Sequence, residues 1–325
     1  MQIDNFSNFR LFNPTPIYSP ESYASRQHFE QYFYSFYLKN REKFPEDIEY
    51  IPVFWHAYEN CKAKDLVTPQ GLQGLLSSLD HNKKYFTVCS HYSGIRYKLP
   101  RDTTVFSAAT SPSDSFILSS GKLKVRSRWH KSSEELNIIK IPLLKNAYQE
   151  TNKNMRGEEK SGKDIKKKDF FCNFIGAINT HVRRKDVVKE FENQKDILIS
   201  TYHWRDTHDW DNIDYYPKVL ENSHFTLCPR GFGRTSYRLY EAMQLGSIPV
   251  YLYDKPFLPY EDIMEWKDIC VMIPMDRLQD ASRLLRLKTE TDIEEYKNNI
   301  QKVYNKYFTR AGVCDYILEA ITNGS

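Results

Sequence analysis

The sequence predicts an α/β protein made of two domains, and three observations support that class. The chain has 325 residues, which is more than one compact core usually holds. Hydrophobic residues make up 40% of the chain and aromatic residues 14%, so two separate cores can be filled. In the second half, short apolar strands alternate with helices, a pattern typical of a parallel sheet covered on both faces.

The first half contains α/β elements whose spatial order the sequence leaves open. An amphipathic helix is followed by an apolar segment, EYIPVFW, which predicts a buried strand. The predicted elements are a helix at Glu21–Leu38, a strand at Glu49–Trp55, a helix at Pro69–Leu79, and strands at Tyr85–Cys89, Thr104–Ala108 and Ser115–Leu118.

A break in composition divides the chain near its middle. Thr151–Asp169 (TNKNMRGEEKSGKDIKKKD) is almost wholly polar and charged, which predicts a linker or surface loop, its lysine run included. We therefore expect a Rossmann-like N-terminal domain over residues 1–155 and a Rossmann-like C-terminal domain over residues 165–300. Residues 301–325 are expected to form a helix that can pack back on the N-terminal domain.

The second half shows the clearer alternation of strands and helices. Ligands of such parallel sheets bind at the carboxyl ends of the strands. The predicted strands are Phe170–Ile175, Ile197–Ser200, Phe225–Cys228, Ile248–Tyr253 and Ile269–Ile273. The predicted helices are Arg183–Glu192, Tyr215–Glu221 and Ser236–Leu245, with two more in Asp292–Ile321.

Charge, cysteine spacing and hydropathy exclude several classes of protein. A net charge of +4 and a pI near 8.5 lack the basic footprint of a dedicated nucleic-acid binder. The six cysteines form no CxxC pair, so neither a zinc ribbon nor a redox motif is expected, and buried free thiols are favoured over disulfides. The sequence shows no leader and no run of ~20 apolar residues, so we expect a cytoplasmic protein with no membrane span.

The most informative segment runs from Phe225 to Tyr253 (FTLCPRGFGRTSYRLYEAMQLGSIPVYLY). Its first strand is followed by a turn with two glycines, Gly231 and Gly233, and Thr235 or Ser236 is expected to cap the next helix. Backbone N–H groups at a positive helix end bind phosphate groups well. The segment therefore predicts a phosphate site.

Charged side chains flank this turn. Arg230, Arg234 and Arg238 fall in or beside it, and guanidinium groups match a diphosphate. Glu241, three residues after Arg238, can accept hydrogen bonds from ribose hydroxyls. The alternative is a salt bridge between Arg238 and Glu241 on a solvated helix face, and the pattern alone does not decide between the two. Gly246 is expected to end the helix.

Ser223–Trp266 resembles the signature of the exostosin family, glycosyltransferase family 47. The similarity continues upstream in FFCNFIGAINTHVRRK, EYIPVFW and VCSHYSGIR, and covers about residues 45 to 275. It implies a GT-B fold, in which two Rossmann-like domains face each other across a cleft. It also implies a UDP-sugar donor, inversion at the anomeric carbon and no required metal or other cofactor.

The same resemblance implies roles for particular residues. The residues implied to hold the UDP diphosphate are Arg183 or Arg184, Arg230, Arg238 and Ser236, assisted by the turn with Gly231, Gly233 and Thr235. Glu241 is implied to hold the ribose. Positive charge at these positions stabilises the UDP leaving group as the glycosidic bond breaks.

An inverting transfer also needs a base that takes the proton from the acceptor hydroxyl. The resemblance, carried through Tyr92-Ser93-Gly94, places an acidic residue at Asp102. His91 is the alternative, because imidazole titrates in the right range. An Asp before two threonines also fits a turn or cap residue, so the assignment stays open.

Two other patterns are interpreted as structural. Asp209-Trp210-Asp211 matches a metal-binding Asp-x-Asp motif, but it falls in a polar loop and not at the end of a strand, so solvated charges are favoured. Tyr202, His203 and Trp204 could stack on a uracil or pack in the core.

The sequence thus predicts an enzyme: an inverting, metal-independent glycosyltransferase that moves a sugar from a UDP-sugar to a saccharide or glycan acceptor. The alternative is a catalytically inactive glycan-binding or scaffold subunit of a glycosyltransferase complex. The identity of the sugar is open, and both homodimers and heterodimers are compatible with the sequence.

Overall fold

The computed structural model describes residues 29–60, 69–111, 115–117, 124–126, 129–144, 168–203 and 215–324. These residues group into two compact units. Unit 1 contains the described residues within Met1–Ser115, Arg126–Asn146 and Lys306–Ser325, and unit 2 those within Phe116–Val125 and Ala147–Asn305. Residues 151–167 of the composition break, Trp204 and the Asp209-Trp210-Asp211 motif lie outside the described residues.

Unit 1 is built on a parallel sheet of four strands. Its elements are α1 (Phe29–Lys39), β1 (Ile48–Tyr50), α2 (Trp55–Asn60), α3 (Pro69–Ser77), β2 (Lys84–Cys89), β3 (Thr103–Ser107) and, after two short strands, β6 (Asn137–Lys140). Those two strands are β4 (Ser115–Ile117) and β5 (Lys124–Arg126), and their residues 116–117 and 124–125 group with unit 2. The order in the sheet is β1-β2-β3-β6, and β4 and β5 form a separate two-stranded sheet.

One face of the unit 1 sheet carries an aromatic core. Apolar residues four apart along α1, such as Phe33 and Tyr37, give this helix one buried stripe. The Phe33 ring lies 5.3 Å from Tyr50, and the Phe44 ring stacks 5.7 Å from Phe86. Phe33 also lies 6.1 Å from Phe86, so its ring packs α1 against the edge strand β1 and its neighbour β2.

The strand predicted at Glu49–Trp55 is shorter than expected. β1 ends at Tyr50, and the helix α2 begins at Trp55. Pro52 explains the difference, because it has no N–H to donate to a sheet ladder. The segment that follows β1 therefore turns at the carboxyl edge of the sheet instead of continuing it.

Unit 2 is a parallel sheet of five strands with helices between them. Its elements are β7 (Phe170–Ala177), α4 (Arg183–Phe191), β8 (Ile197–Tyr202), α5 (Tyr215–Glu221), β9 (Ser223–Pro229), α6 (Tyr237–Gln244), β10 (Ile248–Tyr253), β11 (Val271–Pro274), α7 (Ala281–Arg286) and α8 (Glu290–Tyr307). The order is β8-β7-β9-β10-β11. The predicted α/β class, with a parallel sheet in each half, is confirmed; the relative arrangement of the two units expected of a GT-B protein stays a prediction.

The strand order of unit 2 reverses at β7, which has β8 on one side and β9 on the other. Such a reversal is a topological switch point, and ligands of doubly wound sheets bind there. The ladder between β7 and β9 runs only to Asn173 opposite Thr226, although the strands continue to Ala177 and Pro229. A gap therefore opens between the carboxyl ends of β7 and β9.

The last helix, α9 (Arg310–Thr322), belongs to unit 1 and packs against α1. The Thr309 side chain caps it by accepting a hydrogen bond from the N–H of Gly312 at 3.1 Å. The Arg310 guanidinium lies 4.3 Å from the centre of the Tyr32 ring. Both ends of the described chain thus contribute to the core of unit 1.

Candidate functional site

Arg184 closes the gap at the switch point of unit 2. It lies in the first turn of α4, and its side chain is 5% exposed. Nη1 donates to the carbonyl of Ala177 at 2.8 Å, Nη2 to Pro229 at 3.3 Å and Nε to Arg230 at 2.9 Å. One guanidinium thus joins the ends of β7 and β9 where the strand ladder no longer does.

Arg238 enters the same gap from the first turn of α6. Its Nη2 donates to the carbonyl of Ile175 on β7, and its guanidinium carbon lies 4.8 Å from the centre of the Phe174 ring. The Arg184 guanidinium lies 5.8 Å from the same ring. A side chain at Gly176 would collide with the Arg238 guanidinium, so glycine is required there by close approach.

The charge of these two arginines is not neutralised by any carboxylate in the described parts of the chain: neither Arg184 nor Arg238 takes part in a salt bridge there. Nε and Nη1 of Arg238 are buried and have no hydrogen-bond partner within the described segments of the chain. Burial, followed by the charge of Arg238, lowers the pKa of Arg184 to about 9. Buried unpaired charge is costly, so an arrangement of this kind suits an anionic ligand.

The turn between β9 and α6 has the predicted cap. Ser236 is the N-cap of α6, and its side chain accepts from the N–H of Arg238 at 3.4 Å. The hydroxyl of Thr235 is buried and finds no partner in the described ranges. Neither Gly231 nor Gly233 has a positive φ, so the turn does not depend on a left-handed glycine. Gly246 does, with φ of 71°, and it ends α6 as predicted.

Glu241 is buried at the centre of α6, where it is 7% exposed. The hydroxyl of Tyr216 on α5 donates to its Oε2 at 2.7 Å, whereas Oε1 has no partner among the residues that the structure describes. Arg238, also 7% exposed, forms no salt bridge with it among the described contacts. The alternative prediction, a solvated salt bridge between Arg238 and Glu241, is therefore wrong. Each of the two side chains has polar atoms without a partner among the described residues.

Arg230 has a different environment from the other two arginines. Its Nη1 donates to both carboxylate oxygens of Asp254, at 2.8 and 3.1 Å, and its Nε donates to the carbonyl of Gly233 at 3.1 Å. Asp254 directly follows β10, so this ion pair joins the turn to the carboxyl end of the next strand. The Arg230 charge is accordingly balanced within the protein.

Of the two neighbouring arginines proposed for the diphosphate, Arg184 lies at the switch point and Arg183 does not. Arg183 is exposed and pairs with Asp186 on the surface of α4 at 3.1 Å. The third predicted arginine of the turn, Arg234, is buried with 8% exposure. Arg183, Arg184 and Arg234 carry the same charge, but their side chains lie in different places, and only position distinguishes the roles that they can have.

His181 lies between β7 and α4 and is 3% exposed. Its Nδ1 accepts from the N–H of Arg183 at 3.3 Å. Burial, and then the positive charge of Arg230, lowers the pKa of His181 to about 4. This imidazole is therefore neutral near pH 7 and adds no charge to the arginine cluster.

The two candidate bases lie at opposite edges of the unit 1 sheet. His91 follows β2 at the carboxyl edge, is 1% exposed, and its Nδ1 lies 2.9 Å from the hydroxyl of Ser93. Asp102 precedes β3 at the amino edge and is exposed, and its carbonyl accepts from the N–H of Tyr85 at 2.9 Å. Parallel sheets bind ligands at the carboxyl edge, the edge of His91.

Comparison with known protein families identifies most of unit 2 and part of unit 1. Residues 100–287 match the Exostosin GT47 domain. The chain belongs to the exostosin GT47 family. The predicted membership is thus confirmed, and the match includes the arginine cluster, the turn and Glu241.

Individual exostosin relatives match parts of this chain. The chain is 25% identical over 215 residues to an exostosin-1 homolog of Caenorhabditis elegans, which covers 58% of this chain and 56% of the relative. It is 34% identical over 154 residues to exostosin-1 of Drosophila melanogaster, covering 40% and 20%. Human ribitol-5-phosphate xylosyltransferase 1 is 35% identical over 85 residues, covering 25% and 19%. The chain therefore spans little more than half the length of these relatives, or less.

Among solved structures, the pneumococcal O-GlcNAc transferase GtfA in complex with UDP and GlcNAc aligns with a TM-score of 0.38 and 10% identity. That alignment covers 78% of this chain and 60% of GtfA.

Other predictions about the exostosin-family chain concern thiols, metals and membranes. Five cysteines of the described residues are buried and free: Cys89, Cys172, Cys228, Cys270 and Cys314. No three His, Cys, Asp or Glu side chains of the described residues cluster in a way that could hold a metal ion. In the part of the chain that is described, no helix combines the length and apolar character needed to cross a membrane.

Sequence reasoning missed three residues of the site: Tyr216, Asp254 and Phe174. Asp254 could have been found, because it directly follows a predicted strand at the edge where ligands bind. Tyr216 and Phe174 carry no such signal, since each lies inside a predicted element and reaches the site only through tertiary packing.

Proposed function

We propose that this chain is an inverting, metal-independent glycosyltransferase that transfers a sugar from a UDP-sugar to a hydroxyl of a saccharide acceptor. The observation that carries the proposal is the buried positive charge of Arg184 and Arg238 at the switch point of unit 2. Family membership agrees with it, and two relatives are named ribitol-5-phosphate xylosyltransferase 1.

In α6 and the turn before it, the polar atoms that have no partner among the described residues match the groups of a UDP donor. Nε and Nη1 of Arg238 and the hydroxyl of Thr235 suit diphosphate oxygens, and Oε1 of Glu241 suits a ribose hydroxyl. When the glycosidic bond breaks, negative charge develops on UDP, and fixed guanidinium groups stabilise it without reorganising. In this proposal they take the place that a divalent cation has in metal-dependent enzymes.

We assign the proton acceptor to His91 in preference to Asp102. His91 lies at the carboxyl edge of the unit 1 sheet, and Ser93 occupies its Nδ1. In this proposal the His91 imidazole takes the proton from the acceptor hydroxyl. Asp102 would have to act from the amino edge, where doubly wound sheets rarely bind substrates.

Calorimetric titration with UDP tests the donor site. The variants Arg238→Gln and Glu241→Gln each remove a hydrogen bond that involves a charged group, worth about 1.5–3 kcal/mol, so affinity should fall on the order of tenfold or more. Arg183→Gln is the matched control, because Arg183 is an exposed arginine of the same unit, and it should bind UDP like the wild type. Wild-type affinity in both site variants would refute the donor assignment.

Turnover tests the reaction itself. The wild type should transfer sugar from one member of a UDP-sugar panel, keep its rate in EDTA, and give a product whose anomeric configuration is opposite to that of the donor. Complete loss of rate in EDTA contradicts metal independence, and retained configuration contradicts inversion. UDP-sugar binding with neither transfer nor hydrolysis would favour the inactive scaffold subunit.

A further inference from the structure

Glu30 is a fully buried carboxylate outside the donor site. It lies in the first turn of α1 with 0% exposure. Burial raises the pKa of Glu30 to about 7, although the hydrogen bonds that its carboxylate accepts act in the opposite direction. A carboxylate is costly to bury, so its presence in an aromatic core calls for a specific role.

The Glu30 carboxylate joins two separate segments of unit 1. Oε1 accepts from the N–H of Ser90 at 2.7 Å and from its hydroxyl at 2.9 Å, and Oε2 accepts from the N–H of His56 at 2.9 Å. Ser90 directly follows β2, and His56 lies in the first turn of α2, just after β1. Because β1 and β2 are adjacent and parallel, both segments lie at the carboxyl edge of the sheet.

This edge is where His91 lies. The rings of His56 and His91 are 5.8 Å apart at an angle of 71°. The chain turns after His91 with a hydrogen bond from the N–H of Gly94 to the His91 carbonyl at 3.1 Å. Gly94 has a φ of 76°, and a side chain there would overlap the Trp129 indole, so the turn is closely packed from that side.

We infer that Glu30 is a positioning residue that fixes His91 for proton transfer by binding the backbone next to it and the segment opposite. This inference rests on the proposed function. The ionised carboxylate suits these contacts, because both of its oxygens accept, whereas a glutamine amide offers one acceptor and two donors. Glu30→Gln can keep one of the two backbone contacts and must place an N–H₂ group against the other N–H.

The test compares Glu30→Gln with Thr87→Val. Thr87 is also buried, on β2, where its hydroxyl accepts from Trp55 Nε1 at 2.9 Å and donates to the Ile51 carbonyl at 2.9 Å. It thus links β2 to the same segment after β1, and its hydroxyl forms no hydrogen bond with Ser90 or His56 among the described contacts. Thr87→Val controls for the loss of buried hydrogen bonds in the same sheet.

The first readout is the His91 imidazole signal in ¹³C- and ¹⁵N-histidine-labelled protein, assigned with His91→Gln. Glu30→Gln should shift this signal, and Thr87→Val should leave it in place. In turnover, Glu30→Gln should lower kcat tenfold or more while the KM for the donor changes less than twofold. An unmoved His91 signal, or equal shifts in both variants, would overturn the inference.

If Glu30→Gln does not fold, a pH titration of the labelled wild type tests the inference instead. Other titratable groups on the elements around Glu30 are His56 on α2, Tyr50 on β1, Cys89 on β2, and Arg310 and Cys314 on α9. The His91 signal should respond within the titration step of the Glu30 carboxyl carbon, and a His91 signal that stays in place through that step would contradict the inference. The His91 signal can be measured without catalysis. A wild type without transferase activity would therefore refute the proposed function, and the titration would still test whether Glu30 positions His91.

Discussion

The hydroxyl of Tyr216 donates to Oε2 of Glu241 across 2.7 Å, from α5 to the middle of α6. This bond fixes the carboxylate, and its other oxygen, Oε1, has no partner in the part of the chain that the structure describes. A side chain held in this way loses little further freedom when a ligand binds. Tyr216 therefore orients the group to which we assign ribose recognition.

Tyr216→Phe should weaken UDP binding about tenfold while the fold is retained. A hydrogen bond to a charged group contributes about 1.5–3 kcal/mol, and part of that is lost as Glu241 becomes mobile. Calorimetry with UDP measures the change. Tyr215→Phe, which alters an exposed neighbour on the same helix, should have no effect, and equal affinities for the two variants would contradict the orienting role.

Arg184→Ala should destabilise the protein by about 2–4 kcal/mol, because three buried carbonyls lose their donor at once. Urea unfolding of the wild type, of Arg184→Ala and of the control Arg183→Ala measures the free energy of unfolding. Arg183→Ala removes only an exposed pair with Asp186 and should change it by less than about 0.5 kcal/mol. Similar values for the two arginines would show that Arg184 does not join β7 to β9.

Gly176→Ala should lower UDP affinity about tenfold or more without touching a charged side chain. The added methyl group occupies the space of the Arg238 guanidinium and forces it out of the gap. Gly74→Ala is the comparison, since no atom lies within 4 Å of the methyl group it would add. If UDP binds Gly176→Ala normally, Arg238 does not contact the ligand from this position.

The low pKa of His181 makes stability depend on pH. The unfolded chain takes up a proton near pH 6.5, whereas the folded protein does so only near pH 4. The contribution of neutral His181 to the free energy of unfolding is therefore fully present above pH 6.5. It falls by up to about 3 kcal/mol as the pH drops to 4.

His181→Asn removes this titration and keeps an acceptor for the N–H of Arg183. Its unfolding free energy should decline less between pH 7 and pH 4.5 than that of the wild type, as measured by urea unfolding at each pH. Identical slopes would show that His181 titrates normally in the folded state.

Much of unit 2 could be predicted from its sequence because its signals are local. Helix 215–221 and strand 248–253 have the predicted bounds, and Ser236 and Gly246 limit α6 as their side chains suggest. Caps, glycine turns and apolar periodicity are each encoded within a few residues. The exostosin resemblance was carried by the same contiguous segment.

The contacts that define the site are not local, and this is why the sequence could not predict several of them. The diphosphate role of Arg230 stays a prediction, and its ion pair with Asp254, 24 positions later, carries no signal near Arg230 in the chain. Glu30 and Ser90 are 60 positions apart, and nothing near Glu30 in the chain signals their hydrogen bond. Which polar atoms remain open to a ligand depends on how the strands are ordered.

The hydrogen bonds by which Arg184 joins β7 to β9 also bear on how inactive members of such a family can be recognised. Arg184 is needed to hold the sheet together whether or not any sugar is transferred, so a copy that had abandoned catalysis would keep it. Oε1 of Glu241 and the hydroxyl of Thr235 bind no other group of the described residues, so they do not hold the sheet together. Substitution at these two positions, beside an intact Arg184, would be the earliest mark of a protein that had become a scaffold.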